Sequence, residues 1–101
     1  MDKKFEVVYL PIAAKDLDEI IDYIILDSEQ NALNMVDKFD SAISKLELFP
    51  YEGVVPKDNR LQNMGYRVLI VESYLAFYVV KEKVVEIRRI IHGKRNYGFL
   101  L

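Results

Sequence analysis

The apolar positions of this chain change period along its length, and the changes mark its elements. Residues 5–10 (FEVVYL) are short, β-branched and aromatic, which predicts a strand. Pro11 then suits a first helical turn, where its missing N–H costs nothing. Ala13, Leu17, Ile20, Ile21 and Ile24 follow at helical spacing, with Asp16, Asp18, Glu19 and Asp22 mostly on the other face. Asp27-Ser28 offers a break and an N-cap. Ala32, Val36, Phe39, Ile43 and Leu46 then form a second continuous stripe, ending near Phe49-Pro50 because a residue before proline is pushed out of the helical region. With almost no loop between them, the two helices are expected to form an antiparallel hairpin.

Residues 51–65 are polar, aperiodic and rich in turn formers, and read as an ordered loop carrying Lys57 and Arg60. Three strands follow, over 66–71, 74–80 and 84–92, joined by tight turns at Glu72-Ser73 and Lys81-Glu82-Lys83. The expected fold is α+β, in the order β-α-α-β-β-β. The helical hairpin packs on one face of a small, mainly antiparallel sheet, and the whole chain, 1–101, forms one domain. Alternation places Tyr66, Val68 and Ile70 on the core and Arg67, Leu69 and Val71 on the open face. On the last strand each face holds an arginine. The face with Val85, Ile87 and Ile91 is favoured as core, with Arg89 near an end or in an ion pair.

Composition narrows the chemistry. Half the residues are hydrophobic (51%) and 30% are charged, an ordinary globular mixture. The chain has no cysteine, which excludes a disulfide scaffold or thiolate metal site and is compatible with the cytoplasm. With one histidine, a transition-metal site is not expected, and no cofactor motif is present. Pro11 and Lys15-Asp16 follow the first apolar run too soon for a signal peptide, and no apolar stretch has the length of a membrane span. The net charge of −2 argues against unaided nucleic-acid binding, although Arg88, Arg89, Lys94 and Arg95 make the C-terminal part locally basic.

The most distinctive segment is 90–97, where His92, Lys94, Arg95 and Tyr97 crowd behind Gly93. Histidine exchanges protons near neutral pH, arginine and lysine hold phosphate, and tyrosine stacks on a base or donates a proton. The plain alternatives are a surface histidine at a strand end, a solvated Lys94-Arg95 pair, and an Arg67 spent on a structural partner.

Read together, Tyr9-x-Pro11-x-Ala13-x-x-Asp16-Leu17, Leu46-x-x-Phe49-Pro50-x-x-Gly53, Gly65-Tyr66-Arg67-Val68-Leu69 and Ile87-Arg88-Arg89-Ile90-Ile91-His92-Gly93-Lys94-Arg95 resemble the RelE/ParE toxin superfamily over nearly the whole chain. The resemblance implies the toxin of a type II toxin–antitoxin pair, neutralised by a cognate antitoxin and meeting operator DNA only through that complex. ParE-like members poison DNA gyrase; RelE-like members cut mRNA on the ribosome. The long hairpin, the acidic balance and the Ile91-His92-Gly93-x-Arg95 ending, which looks like the ParE and plasmid-stabilisation branch, favour gyrase. On the nuclease alternative, an enzymatic one, Arg67 and Arg95 match arginines placed at the scissile phosphate. Lys57 and Arg60 would be loop contacts, and His92 or Tyr97 the acid or base. Nucleases of this group often carry the catalytic tyrosine later than Tyr97. A third reading is an inactive homologue that persists as an antitoxin-binding co-repressor.

Overall fold

The computed structural model describes residues 4–101. A short strand β1 (Glu6–Tyr9) leads through Leu10 into helix α1 (Pro11–Asp27) and helix α2 (Glu29–Ser44). Ser28 separates the helices: its amide closes α1 onto Ile24 O, and its hydroxyl caps α2 by accepting from Asn31 N at 3.1 Å. A 3₁₀ turn (Lys45–Glu47) continues α2, so the helical run ends close to the expected proline boundary.

The stretch read as loop contains one further short helix, α3 (Asn59–Asn63). Asp58 Oδ1 caps it, accepting from Arg60 N (2.8 Å) and Leu61 N (3.2 Å). Then come β2 (Tyr66–Val71), β3 (Tyr74–Lys81) and β4 (Val84–His92). The sheet order is β1-β4-β3-β2, antiparallel except for the parallel β1–β4 pair.

The helical hairpin covers one face of this sheet, as expected. Ala13, Phe39, Ile43 and Leu46 pack on Leu69, Val71, Ala76, Tyr78, Val85, Ile87 and Ile90. The strand faces differ from the sequence reading. On β2 it is Leu69 and Val71, and so the Arg67 side, that face the helices. Tyr66 and Val68 point away, and Ile70 is 62% exposed. Both faces of β2 are apolar, so alternation alone could not choose between them.

The second face is not open either. Leu61 of α3 and the tail residues Tyr97, Leu100 and Leu101 cover Tyr66, Val68, Phe77, Val79 and Ile91. On β4, Val85 and Ile87 face the helices but Ile91 does not. The register shifts between Phe77 and Tyr78, so that these neighbours face Arg89 and Ile87 and leave Arg88 as the extra residue of a bulge. Downstream of it the inward positions change parity, and Ile90 and His92 take the helix side.

One ionic contact ties α1 to the sheet. β1 ends opposite Ile87, where Leu10 N donates to Ile87 O, and Pro11 cannot extend the ladder. Asp16 takes the vacated edge. Its Oδ2 accepts from Ile90 N at 3.0 Å, and its two oxygens accept from Arg89 Nε (2.8 Å) and a terminal guanidinium nitrogen (3.0 Å). The expected ion pair of Arg89 is this one. The hydrogen bonds that Arg89 gives to Asp16 outweigh the lowering effect of burial and hold the guanidinium above its ordinary pKa.

Removing the Asp16 carboxylate would leave a largely buried guanidinium and a ladder N–H without partners. Asp16→Ala is expected to cost about 3 kcal/mol, and Asp16→Asn, which keeps an acceptor, about 1 kcal/mol. Urea midpoints check both, and equal stability of Asp16→Ala and wild type would refute the account. A second expectation concerns alkaline pH. Burial, helped by the Asp40 carboxylate, pushes the Tyr9 phenol up from 10.0 to about 12, and burial moves Tyr78 the same way. The unfolded chain releases these protons first, so stability is intact below pH 10 and falls as pH rises from 10 towards 12. Tyr9→Phe should flatten part of that alkaline decline in urea midpoint, and an unchanged slope would contradict the assignment.

Candidate functional site

Arg67 enters β2 just after the positive-φ Gly65 and points towards the chain that leaves the 3₁₀ turn after α2. Its guanidinium donates to Gly53 O (2.9 Å) and Tyr51 O (3.2 Å), and lies over the Tyr51 ring at 5.2 Å. Gly53 N donates in turn to the buried Tyr78 hydroxyl at 2.9 Å. A side chain at Gly53 would collide with that hydroxyl and with Val68 O, at 2.6 and 2.8 Å, so this position requires glycine. Val54 then pairs with Val68 through both backbone bonds. Arg67 is thus a clamp on residues 51–54.

His92 ends β4 at the opposite end of the sheet. Its ring stands edge-on to Tyr74 at 5.3 Å, and its Nδ1 accepts from Lys94 N at 3.1 Å. The neutral ring therefore carries its proton on Nε2. Gly93 N donates to Ser73 O, which turns the chain sharply out of the strand and leaves Lys94 and Arg95 exposed. His92 and Tyr74 border a groove of about 700 Å³, walled by Tyr23 and Leu26 of α1 and by Met35 and Lys38 of α2. Tyr23 and Leu26 are among the most exposed apolar side chains described, at 74% and 84%.

The remaining candidates lie elsewhere. Tyr97 packs on Phe77 at 5.0 Å on the second sheet face. Arg60 donates to the tail carbonyls of Gly98 (3.1 Å) and Leu101 (3.2 Å), and so holds the tail over that face. Lys57 is exposed ahead of α3. Arg67 sits opposite Tyr78 and His92 opposite Tyr74, on the two sides of β3, so they are four residues or about 13 Å apart along the strands and two strands apart across them.

The fold thus gathers His92 and Lys94 at one corner, spends Arg67 and Arg60 on carbonyls, and sends Tyr97 to the other face. Sequence reading missed the groove altogether, because it is built by the helical tip and the β3–β4 end together. The exposed Tyr23 and Leu26, at i and i+3, were its only local signal. Among the described residues no group of three or more His, Cys, Asp or Glu could hold a metal ion, and no helix is long and apolar enough to cross a membrane.

An αα hairpin packed on a mixed four-stranded sheet of this order is the small α+β fold of the RelE/ParE toxins. The family model described as ParE toxin of type II toxin-antitoxin system, parDE, matches residues 7–97. The chain belongs to the ParE toxin family. Among solved structures it is similar to a chain of the chromosomal ParDE TA system from P. aeruginosa, with a TM-score of 0.71 and 26% identity. That alignment covers 88% of this chain and 96% of the other. A comparison with curated proteins gives no match.

If Arg67 is a clamp, its loss should act on the loop first. Arg67→Ala is expected to speed amide hydrogen exchange at Gly53 and Val54 at least tenfold while leaving β3–β4 amides protected, an opening difference of about 1.4 kcal/mol. Arg67→Lys should fall between, since an ammonium can reach the carbonyls but lacks the flat face that lies over Tyr51. Unchanged exchange in both variants would show that the clamp holds nothing.

Proposed function

We propose that this chain inhibits DNA gyrase by binding it, and that a cognate antitoxin neutralises it by occupying the groove between the helical hairpin and the end of β3–β4. The dispersal of the basic and titratable side chains carries the choice of gyrase. Metal-free RNA cleavage needs an acid–base pair and a phosphate clamp converging within hydrogen-bond reach. Here one terminal nitrogen of Arg67 is engaged by two loop carbonyls, His92 lies about 13 Å away along the strand direction and two strands across, and Tyr97 and Arg60 serve the opposite face. The net charge of −2 also disfavours docking on ribosomal RNA. On this reading His92, Lys94 and Arg95 are contact residues, not catalytic ones, and any operator DNA is met through the antitoxin.

The groove supports the antitoxin assignment. Tyr23 and Leu26 on α1 and Met35 on α2 offer separated apolar anchors, with Lys38 and His92 as polar edges. An amphipathic segment fits such a surface by its i, i+3 and i+4 side chains.

The test is a supercoiling reaction with purified gyrase and relaxed plasmid, run beside a coupled translation extract. Dose-dependent loss of supercoiling, reversed by the antitoxin encoded beside the toxin, with intact message in the extract, is the expected result. Cleaved message with supercoiling unaffected would replace this reading with the ribonuclease one. If neither reaction responds while the antitoxin still binds, the chain is an inactive homologue serving as co-repressor. Leu26→Glu should weaken antitoxin binding at least tenfold, about 1.4 kcal/mol, without changing the thermal midpoint by more than a few degrees. Undiminished binding would place the antitoxin elsewhere.

A further inference from the structure

The groove bordered by His92 and Tyr74 stops at a single ion pair. Lys38 Nζ on α2 meets Glu72 Oε1, in the turn between β2 and β3, at 3.3 Å. On the far side of that pair a second cavity of about 360 Å³ begins, and Lys38 lines both.

The two cavities follow one track. On the helical side Asn31, Met35, Lys38, Ala42 and Lys45 succeed one another at alternating steps of four and three, which makes a single stripe about 21 Å long. On the sheet side Tyr74 and Ser73 border the first cavity, and Glu72, Val71 and Ile70 the second, in unbroken order. The ion pair crosses this track at its middle. Ile70 is 62% exposed, so the second cavity offers an apolar anchor of its own.

We infer that this pair is a removable bar which the antitoxin segment crosses, exchanging Glu72 for a carboxylate of its own on Lys38 and continuing onto Ile70. The inference rests on the antitoxin occupying the groove. The bar is easily opened. Both side chains are 51% exposed, where water screens the attraction, and among the described residues neither has a further side-chain hydrogen bond. The need for a carboxylate follows from the covering. A segment laid along the track takes Lys38 out of water, and an ammonium covered without a counter-charge is costly. The acids of this chain do not supply one once Glu72 has moved. Asp37 adjoins Lys38 in sequence, but consecutive residues do not face each other on a helix, and Asp27 lies at the other end of the groove. The partner that fits is therefore an amphipathic segment with two apolar anchors, one for Met35 and Leu26 and one for Ile70, and an acidic residue between them.

The experiment is calorimetric titration of the whole chain with the antitoxin encoded beside it, on variants whose circular dichroism matches the wild type. Glu72→Gln, which opens the bar and leaves Lys38 without a competitor, is expected to tighten binding about threefold. Lys38→Gln is expected to weaken it about tenfold, and Lys38→Arg, which keeps the charge, to restore most of the loss. Ile70→Thr, which keeps the branched shape but not the apolar surface, is expected to weaken it about fivefold. The opposite signs at Glu72 and Lys38 are decisive, because a bridge that only braced the turn would be lost equally in both variants. Glu72→Gln and Lys38→Gln acting alike, or Ile70→Thr binding as the wild type does, overturns the inference. Leu26→Glu, titrated alongside, separates the two readings. If it weakens binding while Glu72, Lys38 and Ile70 variants do not change it, the groove stands and the bar falls; if it too binds normally, both fall.

Discussion

Where β1 stops, β4 loses its parallel neighbour with one turn of strand still to run, and the Asp16 carboxylate substitutes for the missing edge. It supplies an acceptor to Ile90 N and a two-pronged partner to Arg89. The rest of the architecture depends on this contact because it fixes where α1 crosses the sheet. With α1 set, Ser28 reverses the chain, α2 follows antiparallel, and Ala13, Phe39, Ile43 and Leu46 meet the helix-facing side of the sheet. A charge pair in so dry a place earns little net stability by itself, but its absence would strand two groups, so it acts as a selector of one arrangement.

The β-bulge is the second constraint. By leaving Arg88 as an extra residue, it lets Val85, Ile87 and Ile90 all face the helices and still directs Ile91 to the second layer. Arg88 turns to Glu86 at 2.8 Å and to the Tyr66 ring at 5.6 Å. The same shift of parity delivers His92 to the helix side, beside Tyr74, and so to the groove. A strand without the bulge would have carried His92 to the face that the C-terminal tail covers.

These two constraints explain how a small family fold presents separate surfaces. One end of α2 opens into the groove with His92; the other leads to a loop that Arg67 locks with its apolar residues outward. Arginine suits this clamp because one terminal nitrogen reaches two carbonyls while the flat guanidinium face lies over an aromatic ring. The side chain that resembles a phosphate ligand in sequence is here an internal brace.

The order and type of the main elements were legible from periodicity, because each helix and strand must show a neighbour one apolar side. Ser28 and Pro11 were legible as boundaries, since capping and the missing N–H act within a few residues. The Asp58 cap was equally local, yet α3 was read as loop because a helix of so few residues has too short a stripe to register. Only the tertiary structure decided which face of β2 is covered, since Tyr66, Val68 and Ile70 are as apolar as Leu69 and Val71. It alone placed Arg67 on the loop, Arg60 on the tail and His92 in a groove. A side chain's periodic position fixes its direction relative to its own strand, whereas its partner is set by segments remote in sequence, packed there by the bulge and by Asp16.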